Sequence, residues 1–335
     1  MTPIPISVIV CTHNRAVLLP NVITQLCNQD YPPDSFEIII VDNSSTDNTM
    51  EVVQRFKPHR KLTLCFVQEP RLGVTFARNR GAEEAHYSTL AYLDDDCSVG
   101  RDWLSQLVSG FGLSDKVSVV AGSVRVDIGD QKMPAWLGHQ SMRWLADFNF
   151  PGAEPRLLEN PSYVCEGNMA IKKQAWQNAG GFLGMDQFGS PHVASQEIIY
   201  LLEQIKRQGG QVAFVPGAIA NHQTVIPSWW QLLGRTYFHG ISTAILDHLL
   251  GRFSGISAFF HFLLDVAALF VFLFLSLLSL LLFDLAAATF HLLRAARRLG
   301  KMLGNLHVTG DWRRVKAWIS MKGKFRQQLL GKDVS

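Results

Sequence analysis

Ile6-Ser7-Val8-Ile9-Val10-Cys11 runs without a break into Thr12-His13-Asn14-Arg15. The first part is short, almost wholly apolar and rich in β-branched residues, with no alternation of polar and apolar positions. That pattern is the signature of a strand buried on both faces. Working outward, Phe36–Val41, Leu62–Gln68 and Thr89–Leu93 are strand candidates of the same kind. Between them lie three stretches long enough for helices, Val17–Gln29, Thr46–Phe56 and Val74–His86. Three β–α repeats predict an α/β fold with a mostly parallel central sheet covered on both sides. Ligands of such sheets bind beyond the C-terminal ends of the strands.

Those ends are polar here. The first strand leads into Cys11-Thr12-His13-Asn14-Arg15, the second into Asp42-Asn43-Ser44-Ser45-Thr46-Asp47 and the fourth into Asp94-Asp95-Asp96. Ser45 or Thr46 is expected to cap the following helix. Three adjacent carboxylates repel one another, and a bound cation removes that cost. Hard divalent ions such as Mg²⁺ or Mn²⁺ take oxygen ligands and share them with substrate phosphates. An acidic loop capping the helix near Asp102 is the plainer alternative. A second polar segment, Glu166-Gly167-Asn168-Met169-Ala170, runs into a strand, a short helix and Gly180-Gly181-Phe182. A helix is expected over Ser195–Gln208, then a strand over Gln211–Pro216 and, just after it, His222.

The segments "ISVIVCTHNR", "EIIIVDNSSTDNT", "RLGVTFARNRG", "LAYLDDDCSVGRDWL" and "GNMAIKKQAW…GGF" resemble, in order and spacing, family 2 glycosyltransferases of the GT-A fold. The resemblance covers about Ile6 to His222. "PSWWQLLGRTYFHG" and "TGDWRRVKAWISMKGKFRQQLL" are similar to a subgroup associated with bacterial, often cyanobacterial, exopolysaccharide assembly. The resemblance implies a nucleotide pocket lined by Cys11, Thr12 and Asn14, with Asp42 and Asn43 on the base or ribose and Arg78 against the nucleotide. Many relatives carry Asp where this chain has Asn43. Asp94 and Asp96 match the ends of the family's DXD motif, which implies both as metal ligands, Asp96 in direct contact, and Asp94 and Asp95 beside the nucleotide sugar. His222 matches a position that completes the metal site in some GT-A enzymes; an ordinary hydrogen-bonded histidine is the alternative. Asn168 is implied near donor sugar and acceptor, or else is a turn residue entering its strand.

Family 2 enzymes generally invert the anomeric carbon in one displacement, with a carboxylate taking the acceptor's proton. The family's Glu-Asp pair is Glu197-Ile198 here, so one acid remains. Glu197 is the candidate base; an acid favouring its helix dipole is the other reading. Gln140-Ser141-Met142-Arg143-Trp144 fits the QxxRW string of processive polysaccharide synthases but precedes Glu197, an order that favours coincidence and a non-processive enzyme.

Composition bounds the rest. Of 335 residues 47% are hydrophobic and 18% charged, which excludes disorder. From Arg294 onward eleven basic residues face two acidic ones, a local excess of +9 that leaves the remainder near −6. The basic charge is not on the globular part, which argues against nucleic acid as a partner. No GxGxxG follows the first strand, which argues against a dehydrogenase. Five isolated cysteines suit reduced cytosolic thiols, and the N-terminus predicts no signal peptide.

Val266–Phe283 is an uncharged run of eighteen residues inside a 38-residue stretch, 256–293, lacking Gly and Pro. Eighteen helical residues span about 27 Å, near the thickness of a bilayer's hydrocarbon. A single span would export the basic tail, against the positive-inside tendency. A re-entrant hairpin or an interfacial helix keeps both ends inside. The expected organisation is a catalytic domain over 1–225, linking helices over 226–255, a membrane-associated segment over 256–293 and a basic tail over 294–335. Arg294–Lys301 and Trp312–Arg326 would meet anionic headgroups. The expected protein is a membrane-associated inverting glycosyltransferase with a cytoplasmic catalytic domain and Mg²⁺ or Mn²⁺ as cofactor. Its donor is a UDP-, dTDP- or GDP-sugar and its acceptor a glycan or lipid-linked sugar, in polysaccharide biosynthesis. The alternatives are a processive synthase or a non-catalytic membrane adaptor that binds nucleotide sugar.

Overall fold

The computed structural model describes residues 3–56, 62–148, 152, 154–159, 164–183, 197–252 and 255–308. The expectations for Ser195, Gln196 and Trp312–Arg326 lie outside the described residues. The chain divides into two compact units. One runs to Asp127 and resumes with 146–183 and Glu197–Thr224; the other takes Ile128–Leu145 and the residues from Val225 onward. Of the stretch 1–225, residues Ile128–Leu145 group with those of the second unit.

In the first unit β1 (Ile6–Thr12), α1 (Leu19–Cys27), β2 (Phe36–Asp42), α2 (Thr49–Arg55), β3 (Thr63–Gln68), α3 (Val74–Glu84) and β4 (Thr89–Leu93) alternate as the apolar runs predict. The two ladders β1–β2 and β2–β3 end together at Thr12, Asp42 and Gln68. After β4 come β5 (Cys97–Val99), α4 (Trp103–Ser109), β6 (Val117–Asp127), β7 (Arg156–Leu157), β8 (Asn168–Lys172), α5 (Lys173–Asn178), α6 (Glu197–Arg207) and β9 (Gln211–Gln223). The sheet order is β3-β2-β1-β4-β8-β6-β9-β5, with β7 on β9.

"Mostly parallel" needs correction. Among the described residues four strand pairings are parallel and four antiparallel, so the sheet is mixed. The reversal begins at β8, which lies antiparallel between β4 and β6. The side chains of β1 sort by parity. Ile6, Val8 and Val10 join α1 and α4 in one core, while Ile9 joins α3 and α6 in the other.

Two local expectations fail for physical reasons. The helix after β2 is entered at Asn48, and the Asp47 carboxylate accepts from the Thr49 amide at 3.1 Å, so neither Ser45 nor Thr46 caps it. The strand expected to stop at Pro216 continues to Gln223, and His222 lies inside it. Pro216 has no N–H for a ladder. The chain bulges there: Val215 pairs with Gly122 and Ile219 with Ser123, so Pro216, Gly217 and Ala218 are extra.

Among its described residues the second unit has a 3₁₀ segment (His139–Leu145) and three helices, α7 (Trp229–Leu249), α8 (Gly255–Leu281) and α9 (Leu285–Val308). Ser228 and Gln231 close a capping box at the start of α7. The apolar stretch 256–293 is broken after Leu281: residues 282–284 turn the chain, with Phe283 at φ 59°. The Asp284 carboxylate then caps α9 through the Ala287 amide at 2.9 Å. The α7–α9 contact is close because it is glycine-lined. A Cβ on Gly300 would lie 2.0 Å from the Tyr237 carbonyl, and one on Gly240 2.0 Å from that of Arg297. Trp144, the end of the QxxRW string, packs edge-on against His239 at 6.0 Å.

Candidate active site

Parallel register brings Thr12 beside Asp42, and β4 delivers Asp94-Asp95-Asp96 to the same rim. The backbone there is unusual: Asn14 and Ser44 hold φ of 52° and 59°, values that non-glycine residues adopt mainly where side chains compensate. The Asn14 amide donates to Ser45 Oγ at 2.9 Å, and its Oδ1 accepts from the Thr46 amide at 2.7 Å. Ser44 Oγ donates to the Pro70 carbonyl at 2.8 Å. Asp42 is buried and accepts from the Ser45 amide at 3.1 Å.

Asn43 is engaged within the protein. Its Nδ2 donates to the carbonyls of Glu69 and Arg71 at 3.1 and 2.7 Å, and its Oδ1 accepts from the Gly73 amide at 2.7 Å. Arg71 grips Glu69 through Nε and Nη2 at 2.8 and 2.9 Å, holding that carboxyl below its ordinary range. Asn43 therefore shapes the loop leading into α3. Burial pushes the Cys11 thiol up to about 12, so it is a neutral wall of the site.

Arg78 is the hub. Gly81, one turn further along α3, lets the helix settle on the sheet, since a Cβ there would meet Ile9 Cγ2 at 2.4 Å. The buried guanidinium then reaches three carboxylates: Asp94 at 3.2 Å, Glu166 at 3.3 Å and Glu197 at 3.6 Å. Burial alone would lower its pKa; Glu166, Asp94 and Glu197 more than reverse this and raise it above the ordinary arginine value. Asp94 is packed on Gly167, where a Cβ would come within 2.1 Å of its Oδ2.

A second cation, Arg15, donates to Asp95 Oδ1 at 2.8 Å and to Asp96 Oδ2 at 2.9 Å. Burial raises the Asp95 carboxyl above its usual range, and Arg15 only partly offsets this. For Asp96 burial acts the same way, but His222 and Arg15 together outweigh it and the carboxyl is lowered. His222 Nε2 lies 3.5 Å from Asp96 Oδ2.

Asn168 is held by the core. It is fully buried, its Oδ1 accepts from the Trp103 indole at 2.8 Å, and its Nδ2 donates to the carbonyls of Ser123 and Ala218 at 2.8 Å each. With donors and acceptor engaged in the core, it braces β8. Ile198, where the family has Asp, is likewise core, packed with Leu201, Leu202 and Ile205. Arg15 and Glu166 had no assigned role in the sequence. Both stood in the motifs quoted, but nothing in their spacing tells that Arg15 reaches across some eighty residues to the triplet.

Five carboxylates (Asp94, Asp95, Asp96, Glu166, Glu197) and two guanidiniums (Arg15, Arg78) meet at this rim, an excess of three negative charges over the cations. Among the described residues no three His, Cys, Asp or Glu side chains form a ready-made metal cage. Asp96 and His222 offer an oxygen and a nitrogen side by side. That pair suits an ion that draws its remaining ligands from phosphates and water.

The profile of the family described as Glycosyl transferase family 2 matches residues 7–179, just over half of the chain. Glycosyltransferase AglE of Haloferax volcanii is 32% identical over 122 residues, 36% of this chain and 39% of that one. The chain thus spans about two-fifths of the length of that relative. The glucosyl-dolichyl phosphate glucuronosyltransferase of the same organism is 23% identical over 255 residues, covering 73% of this chain and 78% of its own. Among solved structures, a mannosyltransferase from Pyrobaculum calidifontis in complex with GDP-Man and Mn²⁺ superposes with a TM-score of 0.54 at 18% identity, covering 98% of this chain and 81% of that one.

Proposed function

Because this chain belongs to glycosyl transferase family 2, with the GT-A fold, we propose that it transfers a sugar from a nucleotide diphosphate donor to a glycan or lipid-linked acceptor, with inversion. The observation that carries this reading is the acid-rich rim around Arg78. An anionic diphosphate approaches an excess of three carboxylates only in company with a cation. A divalent ion, Mg²⁺ or Mn²⁺, would be held by Asp96 and His222, with Asp94 facing the same rim; when bound it supplies charge neutralisation to the departing diphosphate. A solved neighbour of the same fold carries GDP-Man and Mn²⁺, which supports a nucleotide-sugar donor here.

The protein's own groups have distinct tasks in this reading. Thr12 and Asp42, paired in register at the strand ends, receive the nucleoside. Arg15 orients Asp95 and Asp96. Glu197, at the start of α6, takes the proton from the acceptor hydroxyl, and Arg78 fixes its carboxylate relative to Asp94. Acceptor and site act at a membrane in polysaccharide assembly; the relative named for a dolichyl phosphate substrate supports a lipid-linked acceptor.

The deciding experiment replaces the base. Glu197→Gln lowers turnover by about 10²- to 10⁴-fold while nucleotide binding is retained. Turnover near wild type would exclude Glu197. The burial of Ile198 in the core favours a second reading, a nucleotide-sugar-binding adaptor without catalysis. Cation-dependent release or transfer of sugar from UDP-, GDP- or dTDP-sugars separates the two.

A further inference from the structure

The apolar helix α8 has two unlike faces. One is fastened to α9. Asp265, buried on α8, pairs with Arg298 and lies 3.9 Å from Lys301. Ser276 Oγ donates to the Ala288 carbonyl at 2.9 Å, and the Arg294 guanidinium stacks over the Phe272 ring at 4.0 Å. The other face is bare. Phe260, Leu264, Val271, Phe274, Leu278 and Leu281 recur at spacings of three, four or seven residues, each 41–68% exposed. No Asp, Glu, Lys or Arg interrupts this stripe, and it ends at the turn with Phe283, 96% exposed.

The segment Phe260–Leu281 is long and apolar enough to cross a bilayer, with a mean hydropathy of 2.5. Its register with α9 argues against crossing. Phe272 stands near the middle of the segment, about 16 Å along the axis from Phe283. A crossing α8 would hold Arg294 near mid-bilayer and carry Arg298 and Lys301 into the same hydrocarbon, where charged side chains are rare and costly. Lying lengthwise avoids this: the stripe enters the acyl boundary while the second layer of helix keeps its cations at headgroup level.

We propose that α8 is a monotopic membrane face, seated along its whole length in one leaflet of an anionic bilayer, and not a transmembrane span. This rests on the reading above that the acceptor is membrane-bound, and it specifies how the chain meets that surface. Arg294, Arg297, Arg298 and Lys301, one layer behind the stripe, outnumber Asp247 and Asp265, the acids paired with them, and this positive surplus fits anionic headgroups rather than a second copy of the same basic hairpin.

The test uses the full chain on vesicles of phosphatidylcholine and phosphatidylglycerol. Cysteines are placed in turn at Leu264, Phe274 and Leu281 and spin-labelled, with the labelled unsubstituted chain as background for the native thiols. Relaxation by oxygen against a water-soluble nickel complex gives each label's depth. Equal, shallow depths at all three positions are expected. Depths that pass through the bilayer centre between Leu264 and Leu281 would overturn the proposal. So would labels that stay in water, or that become protected only as the chain dimerises. As a second arm, Leu264→Glu with Phe274→Glu abolishes flotation with vesicles while the nucleotide-dependent thermal shift is unchanged; retained flotation sinks the proposal. Turnover of a soluble acceptor is scored separately, so failure of the membrane face and failure of the transferase reading give different results.

Discussion

The rim of the sheet and the C-terminal helical layer both bury charge, but with opposite imbalance. At the rim five carboxylates outnumber two guanidiniums. In the helical layer Asp247 and Asp265 face Arg252, Arg298 and Lys301, so cations are in excess by one. The first arrangement leaves negative charge in surplus; in the second both carboxylates are paired and the surplus is positive. A buried charge stripped of its partner is what destabilises. The costly deletion should therefore be a cation in one region and an acid in the other.

Arg78→Met is the strongest challenge. It leaves Asp94, Glu166 and Glu197 without their shared cation and is expected to lower unfolding stability by at least about 3–5 kcal/mol in denaturant titration. A neutral outcome would mean the rim is not held by Arg78. Asp265→Asn is the mirror test, expected to cost toward the low end of about 3–5 kcal/mol, since Lys301 keeps Asp247 at 2.8 Å. Nucleotide binding should be untouched.

Acidification reaches the helical layer through a buried histidine. Burial, helped by Arg297, lowers His239 to about 3, so the native state keeps it neutral where the unfolded chain, near 6.5, binds a proton. Stability is then complete above pH 6.5 and declines as pH falls toward 3, by about 2 kcal/mol at pH 5. His239→Met should flatten the part of the melting-temperature profile between pH 7 and 5. The smallest effect belongs to Glu166→Gln, which removes an acid from the acid-rich rim and is expected to change stability by less than about 1 kcal/mol. A large loss there would end the contrast between the regions.

How much of this could be read from the chain depends on the range of the interaction. β1 to β4 and their helices were legible to within a few residues, because continuous apolar runs and polar ends are local signals. The gathering of Thr12, Asp42 and the triplet at one rim follows from parallel topology alone. β6 was missed because Gly122-Ser123 interrupts its apolar run, and the far half of β9 because Pro216 reads as a stop. The α8–α9 turn carries neither Gly nor Pro; its one signal is Asp284 as a cap ahead of Leu285-Ala286-Ala287. The bracing by the buried amides of Asn43 and Asn168 was not legible, because their backbone partners lie far off in the sequence.

The bulge at Pro216–Ala218 governs which way His222 points. Before it, the even-numbered Val212 and Phe214 face the core shared with α6; after it, the even-numbered Ala220 faces the core shared with α1. Side chains alternate along a strand, so this odd-length insertion exchanges the two sides of the sheet midway through β9. Downstream of it, pairing with β5 and β6 holds the imidazole on the side of Asp96. Spacing, as much as residue identity, brings His222 beside Asp96 here.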